Sequence, residues 1–250
     1  MNRYIKSSVK VIAAMVAFGA FPAFAEGDVA VENVQIKCTD ALKGFTVGAD
    51  LAYNYSEAKH DQNEAYLVVG GTRLPADKTF EVKHRRCNID PSINVGYTHL
   101  YNNWYIGVAG EFSFGKDGKK YETYDEVFPT KSKISGFAGG IKVKGGYYIK
   151  DLKSAAYGIA GLKWRNVEMQ YSHSNGAVGS KAKLKSPLYV LGVGLERPIY
   201  KKLSVSAEYE YAWRNSNDTS VLGSPIGNAE FHIKQRLNDH SFKIGVKYHI

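Results

Sequence analysis

From Leu203 to Trp213 apolar and polar residues alternate without a break. Leu203, Val205, Ala207, Tyr209, Tyr211 and Trp213 share one face of a period-two strand, and Ser204, Ser206, Glu208, Glu210, Ala212 and Arg214 share the other. Similar runs cover 44–56, 92–101, 104–115, 133–149, 155–172 and 184–197, and a last one starts near Glu230 and ends the chain at Ile250. Eight strands are predicted. The period slips near Gly161, which predicts a bulge there. Three connections are short, at Asn102-Asn103, Lys150 to Ser154 and Pro198 to Lys202. Four are long and polar, at about 57–90, 116–132, 173–182 and 215–228, and the two kinds alternate strictly. Within the first long connection, Tyr66–Gly70 and Thr79–Val82 are expected to pair as a small hairpin, with Gly70-Gly71 and Pro75 as turn signals.

Alternation alone does not choose between a soluble core and a lipid bilayer. The ends of the chain do. Arg3, Lys6 and Lys10 precede a short apolar run from Val11 to Phe21, and Ala23-Phe24-Ala25 follows, the three parts of a secretory signal with cleavage expected before Glu26. About eleven apolar residues are too few for a spanning helix, which needs roughly twenty. Residues 26–43 carry no clean period and are expected to form a periplasmic lead-in. Loss of the signal removes three basic residues, leaving 30 basic against 24 acidic ones. An exported chain does not meet nucleic acid, so the basic excess points to anionic lipid head groups. The 18 tyrosines outnumber the phenylalanines and tryptophans together, which suits a strand protein whose lipid face takes every second residue.

Phe242, Ile244, Val246, Tyr248 and Ile250 are apolar at every second position to the final residue, with Lys243, Gly245, Lys247 and His249 between them. This resembles the terminal targeting signal of bacterial outer-membrane barrels, which implies recognition by the outer-membrane assembly machinery. The final residue is Ile250, where that signal usually carries an aromatic one. With the export signal and the strand count, the mature chain resembles the small OmpA-like and opacity-type outer-membrane proteins. The resemblance implies an all-β fold, an eight-stranded antiparallel up-and-down transmembrane β-barrel over 44–250, with short turns in the periplasm and long loops outside the cell. A soluble barrel of the lipocalin kind would instead bury the apolar face and turn the charged faces to water. The resemblance further implies a structural and surface-interaction role, with loops contacting lipopolysaccharide, host matrix or other cell-surface molecules. Small barrels also include lipid A-modifying enzymes and narrow channels, which form the alternative.

On the predicted inner faces lie Glu111, Lys142, Lys144, Glu208, Glu210, Lys243 and Lys247. An eight-stranded barrel is only wide enough to be filled by side chains. These charges are therefore expected to pair across the lumen as a plug, the other reading being an ion pathway. Lys83, Arg85 and Arg86 at the end of the first long loop, with Lys116, Lys119 and Lys120 in the second, are expected at the outer leaflet, facing phosphorylated lipopolysaccharide or plain solvent. The one local cluster suggestive of catalysis is Tyr171-Ser172-His173-Ser174-Asn175. Neighbours on a strand point to opposite faces, so His173 does not reach either serine and no catalytic residue is assigned. The seven histidines are scattered without zinc-site spacing, and no glycine-rich phosphate loop or other cofactor motif is present. Cys38 and Cys87 are expected on opposite sides of a hydrocarbon layer about 25 Å thick, too far apart for a disulfide.

Overall fold

The computed structural model describes residues 42–75, 81–124, 128–171, 181–184, 187–224 and 227–250. The export signal, Cys38 and most of the lead-in lie outside these, as do Thr79, Phe80 and Ser172–Asn175. Among the described residues eleven strands are formed: β1 (Gly44–Val69), β2 (Thr72–Pro75), β3 (Glu81–Tyr101), β4 (Trp104–Ser113), β5 (Gly118–Tyr124), β6 (Phe128–Ile149), β7 (Ser154–Tyr171), β8 (Lys181–Leu184), β9 (Leu188–Tyr200), β10 (Leu203–Ser224) and β11 (Gly227–His249). Eight long strands close a ring in the order β1, β3, β4, β6, β7, β9, β10, β11, every pair antiparallel, and β11 returns to β1 through pairs such as Val47↔Tyr248. Closure removes the free edge that an open sheet would expose.

Three expectations about the strands need correction. Three of the four regions read as long loops, 57–90, 116–132 and 215–228, are largely strand among the described residues, and the fourth lies mostly outside the description. β1 and β11 stay paired as far as Val68↔Asn228, and β10 and β11 as far as Ser224↔Gly227, so the wall continues well past the membrane level. Polar composition signalled departure from lipid, which is not departure from the sheet. The small hairpin also has a different second strand. Tyr66–Val69 pairs with Thr72–Pro75 across Gly70-Gly71, both at positive φ (57° and 82°), the backbone that a two-residue hairpin turn requires. Asn102-Asn103 turns the same way at φ 45° and 71°, asparagine being among the few residues that tolerate it.

Nor does β7 bulge at Gly161. Its register with β6 runs unbroken from Ile149↔Ser154 to Ala138↔Arg165, and the shift falls between Ile134 and Ala138 on β6. The apparent slip arises because Tyr157 and Ile159 are apolar yet face inward, on the same parity as Lys163 and Arg165, all four being buried. Gly194 makes room for one of them, since a Cβ there would meet the Tyr157 ring at 2.5 Å. Gly44, at φ 106°, starts β1 where a Cβ would press on the carbonyl oxygen of Ile250, so glycine allows the two ends of the ring to meet.

The outer surface is a belt of exposed aliphatic residues, among them Val47, Val95, Val108, Val143, Val193 and Val246. Aromatic residues rim it on both sides. Phe45, Tyr97, Trp104, Tyr147, Tyr200 and Tyr248 lie towards the short turns, and Phe112, Phe114, Phe137, Trp164 and Tyr189 lie towards the long connections. An apolar band between two aromatic girdles fits a bilayer, where amphipathic rings settle at head-group depth.

Candidate functional site

The barrel interior is layered. At the short-turn end Leu42, Leu100, Tyr105, Tyr148, Ala155, Tyr157 and Ile159 form a buried apolar cluster, so the last part of the lead-in enters the barrel at Leu42, held by a hydrogen bond from Thr98 Oγ1 to its carbonyl at 2.9 Å. Tyr105 and Tyr157 stack there with centroids 5.0 Å apart. Towards the outer end a second cluster gathers Ala58, Ile134, Val167, Leu188, Val190, Ala212 and Leu237. Most of the charges lie between these clusters, with Glu196 level with Ala155 of the first and Asp239 level with Ala212 of the second.

In the middle of the lumen Lys142 pairs with Glu111 and Glu210, and Lys243 Nζ lies 2.5 Å from Glu111 Oε1 and 2.8 Å from Glu210 Oε2. Two lysines and two glutamates thus close a cycle. One step towards the turns, Lys144 and Lys247 share Glu208 Oε1 at 2.6 and 3.2 Å, and Lys247 reaches Glu196 Oε2 at 2.8 Å. The Tyr157 hydroxyl donates to Glu208 at 2.8 Å while Lys144 Nζ sits 5.1 Å from the centre of its ring, a cation held over an aromatic face. One step outward, Asp239 accepts from Lys163 at 2.7 Å, Arg165 at 2.8 Å and Ser56 at 2.7 Å. Each of these carboxylates and ammonium groups is almost fully buried, where leaving any one unpaired is costly.

All seven residues singled out in the sequence for the lumen meet in this network. Glu196, Lys163, Arg165 and Asp239 belong to it too and were missed. Glu196 and Asp239 stand at the inner parity of their strands and could have been found by that parity; Lys163 and Arg165 were hidden by the apolar Tyr157 and Ile159. The interior void beside Glu111, Lys142, Lys163 and Glu210 measures about 10 Å³, room for about one water.

Near the turns Ser204 Oγ donates to Glu196 Oε1 at 2.7 Å, and His249 Nε2 lies 3.0 Å from that oxygen and 2.9 Å from Ser204 Oγ. The residue types suggest a catalytic triad, but the geometry does not make one. A relay places the carboxylate on Nδ1 and the hydroxyl on Nε2, whereas here Nε2 faces both, and all three residues are buried. Among the described residues no group of His, Cys, Asp and Glu is arranged to hold a metal ion.

The outer basic residues divide by strand parity. Lys83 and Arg85 face outward on β3 and are exposed; Lys116 and Lys119, in and beside the turn between β4 and β5, are exposed as well. Arg86 is a correction. At the inner parity of β3 it is 3% exposed, with Nη2 donating to both Asp90 oxygens at 2.7 Å and Nε to the Lys116 carbonyl at 2.9 Å. It ties the wall together where β4 ends. The Lys120 side chain lies outside the description, and so does the serine and histidine cluster at 172–175. Cys87 is exposed on the outer face of β3.

Among solved structures the chain is similar to Ail, the attachment invasion locus protein of Yersinia pestis, at 13% identity, covering 82% of this chain and 98% of that one with a TM-score of 0.38. It is similar to Neisserial surface protein A at 16% identity, with coverage of 83% and 97% and a TM-score of 0.37. It is also similar to the outer membrane protein OprG of Pseudomonas aeruginosa at 10% identity, with coverage of 84% and 99% and a TM-score of 0.43. No curated protein matches it in sequence. The family model described as the outer membrane protein beta-barrel domain matches residues 11–249, nearly the whole closed ring and its lipid belt, and the chain therefore belongs to that family and resides in the bacterial outer membrane.

Proposed function

We propose that this protein is a non-conducting, non-catalytic surface protein of the outer membrane. On this reading the barrel is a filled scaffold, and its parts beyond the membrane contact lipopolysaccharide, host matrix or other cell-surface molecules. The observation that supports this is the lumen. Its buried charges pair across the middle, Glu111 and Glu210 with Lys142 and Lys243, and Glu208 with Lys144 and Lys247, and apolar clusters pack towards either end, so side chains fill a barrel of this width. The strands that project past the lipid belt supply the contact surface, and Lys83, Arg85, Lys116 and Lys119 are its basic side chains from the two connections. The outer-membrane assembly machinery is the partner during insertion.

Two measurements on one preparation test the reading. Purified protein in planar bilayers is expected to give no single-channel steps, and lipid A from cells with and without the gene is expected to give the same mass spectrum. Binding to lipopolysaccharide or to immobilised matrix proteins should be retained. Discrete conductance would favour a narrow channel, and a mass shift in lipid A would favour an enzyme.

A further inference from the structure

On the outer face, β3, β1 and β11 lie side by side and their registers stack three rows of side chains. Tyr55 is opposite Cys87 and His240; Glu57 is opposite Arg85 and Asn238; Lys59 is opposite both Lys83 and Arg236. The third row is three cations abreast. Like charges directly opposite one another on a sheet are destabilising. The carboxylates fall one row away: Glu57 lies 2.7 Å from Arg85, and Asp61 lies 3.2 Å from Lys59 and 4.0 Å from Arg236. Lys234, which the register sets opposite Asp61, adds a further basic residue to the patch.

Below the cations is an aromatic shelf. The His240 ring has its centroid 4.8 Å from that of Tyr211 and 6.1 Å from that of Tyr55, and its Nδ1 lies 2.9 Å from the Tyr209 hydroxyl. Tyr211 stacks on Trp213 at 5.5 Å. Height sets what this surface meets. From the row of Phe45 and Tyr97 at the turn-side girdle, β1 and β3 climb ten residues to the shelf and fourteen to the cation row. With ~3.4 Å per residue and a tilt of ~40°, these are about 26 Å and about 36 Å along the barrel axis. The apolar band is about 25 Å tall. The shelf therefore lies at its outer margin and the cations about 11 Å beyond, among the sugars and phosphates of the head groups.

We propose that this face is a binding site for the phosphorylated sugar head group of lipid A, with Lys59, Lys83 and Arg236 on the phosphates and Tyr55, His240 and Tyr211 against the sugar. The acyl chains then run down the aliphatic belt on the same strands. Cations relieve their mutual repulsion on a phosphate, and aromatic rings with a polar edge suit a head group that is partly apolar. The inference rests on the reading of this protein as a lipopolysaccharide-contacting surface protein, and it moves the contact from the turn after β4 to the wall of the barrel.

The test uses full-length protein in phosphatidylcholine nanodiscs titrated with bis-phosphorylated lipid A, dephosphorylated lipid A or phosphatidylglycerol. Native protein is expected to prefer bis-phosphorylated lipid A. K59A/K83A/R236A should weaken that binding about a hundredfold, roughly fivefold for each cation near a charged surface, and K150A/K153A at the opposite rim should leave it unchanged. Each single variant should show a smaller loss in the same direction, so the result stands even if the triple variant folds poorly, which its gel mobility before and after boiling reports. Binding lost in K116A/K119A but retained in the triple and single variants overturns the inference and spares the broader reading. Equal affinity for phosphorylated and dephosphorylated lipid A overturns phosphate recognition. Native protein that prefers neither form of lipid A over phosphatidylglycerol overturns both.

Discussion

Lys243 and Arg236 stand on the same strand and take opposite sides of the wall. Lys243 points inward, is 2% exposed, and lies between the carboxylates of Glu111 and Glu210. Arg236 points outward with its side chain 42% exposed, and a carboxylate oxygen of Asp61 lies 4.0 Å from it. Inside, desolvation forces each charge to be matched, so the lumen network serves the fold. Outside, water and ions screen the charges, and an excess of one sign can persist without unfolding the protein. The same residue types carry structure on one face and contact on the other. Parity along the strand separates them.

The largest effect should follow from unmatching the inside. Asp239→Ala leaves Lys163 and Arg165 buried with no carboxylate at 2.7 and 2.8 Å, and breaking a buried pair in this way costs about 3–5 kcal/mol. Urea titration of the variant refolded in lipid vesicles, followed by gel mobility with and without boiling, should show a much lower midpoint or no folded band. A native midpoint would mean that the lumen charges are spectators. The outside should respond by depth. Val193, 62% exposed in the lipid belt, should lose about 2–4 kcal/mol on replacement by arginine. Thr72→Arg, on an exposed position of the β1–β2 hairpin beyond the belt, should change stability by less than about 0.5 kcal/mol. Equal midpoints for the two arginine variants would contradict the position of the belt.

Strand parity was legible in the sequence because membrane barrels impose it from both sides: lipid demands apolar residues and the lumen tolerates charge. That is why Glu208, Glu210, Lys243 and Lys247 could be assigned to one cavity from alternation alone. Two features were illegible for physical reasons. The lumen is itself apolar at both ends, so Tyr157 and Ile159 broke the pattern without breaking the strand. Beyond the bilayer neither face has to be apolar, so the projecting halves of β1, β10 and β11 read as loops although their ladders continue. The row formed by Lys83, Lys59 and Arg236 is invisible in one dimension, because it exists only through the registers of three strands.

The smallest expected effect concerns the strap where β4 leaves the wall, outside the membrane. Asp117 accepts a hydrogen bond from the Gly136 amide at 2.9 Å and lies 2.7 Å from Lys133 Nζ. The hydrogen bond from Lys133, helped by the Gly136 amide, holds its carboxyl below the ordinary aspartate value of 3.8. A carboxyl lowered in the folded state contributes stability that is fully present above 3.8 and lost as the pH falls through the lower folded value. The pair is exposed, so salt should weaken it, and the barrel as a whole should not respond. The prediction is local: the protection factor of the Gly136 amide in hydrogen exchange stays level from neutral pH down to about pH 4 and declines below it, while amides of the β10–β11 ladder do not change. Asp117→Asn should give a lower protection factor at Gly136 without the acid step. A pH-independent protection factor in the native protein would show that the strap is held by its other contact, the Lys116 carbonyl accepting from Arg86 and Asn88 at 2.9 and 3.0 Å, and that this exposed pair contributes nothing measurable.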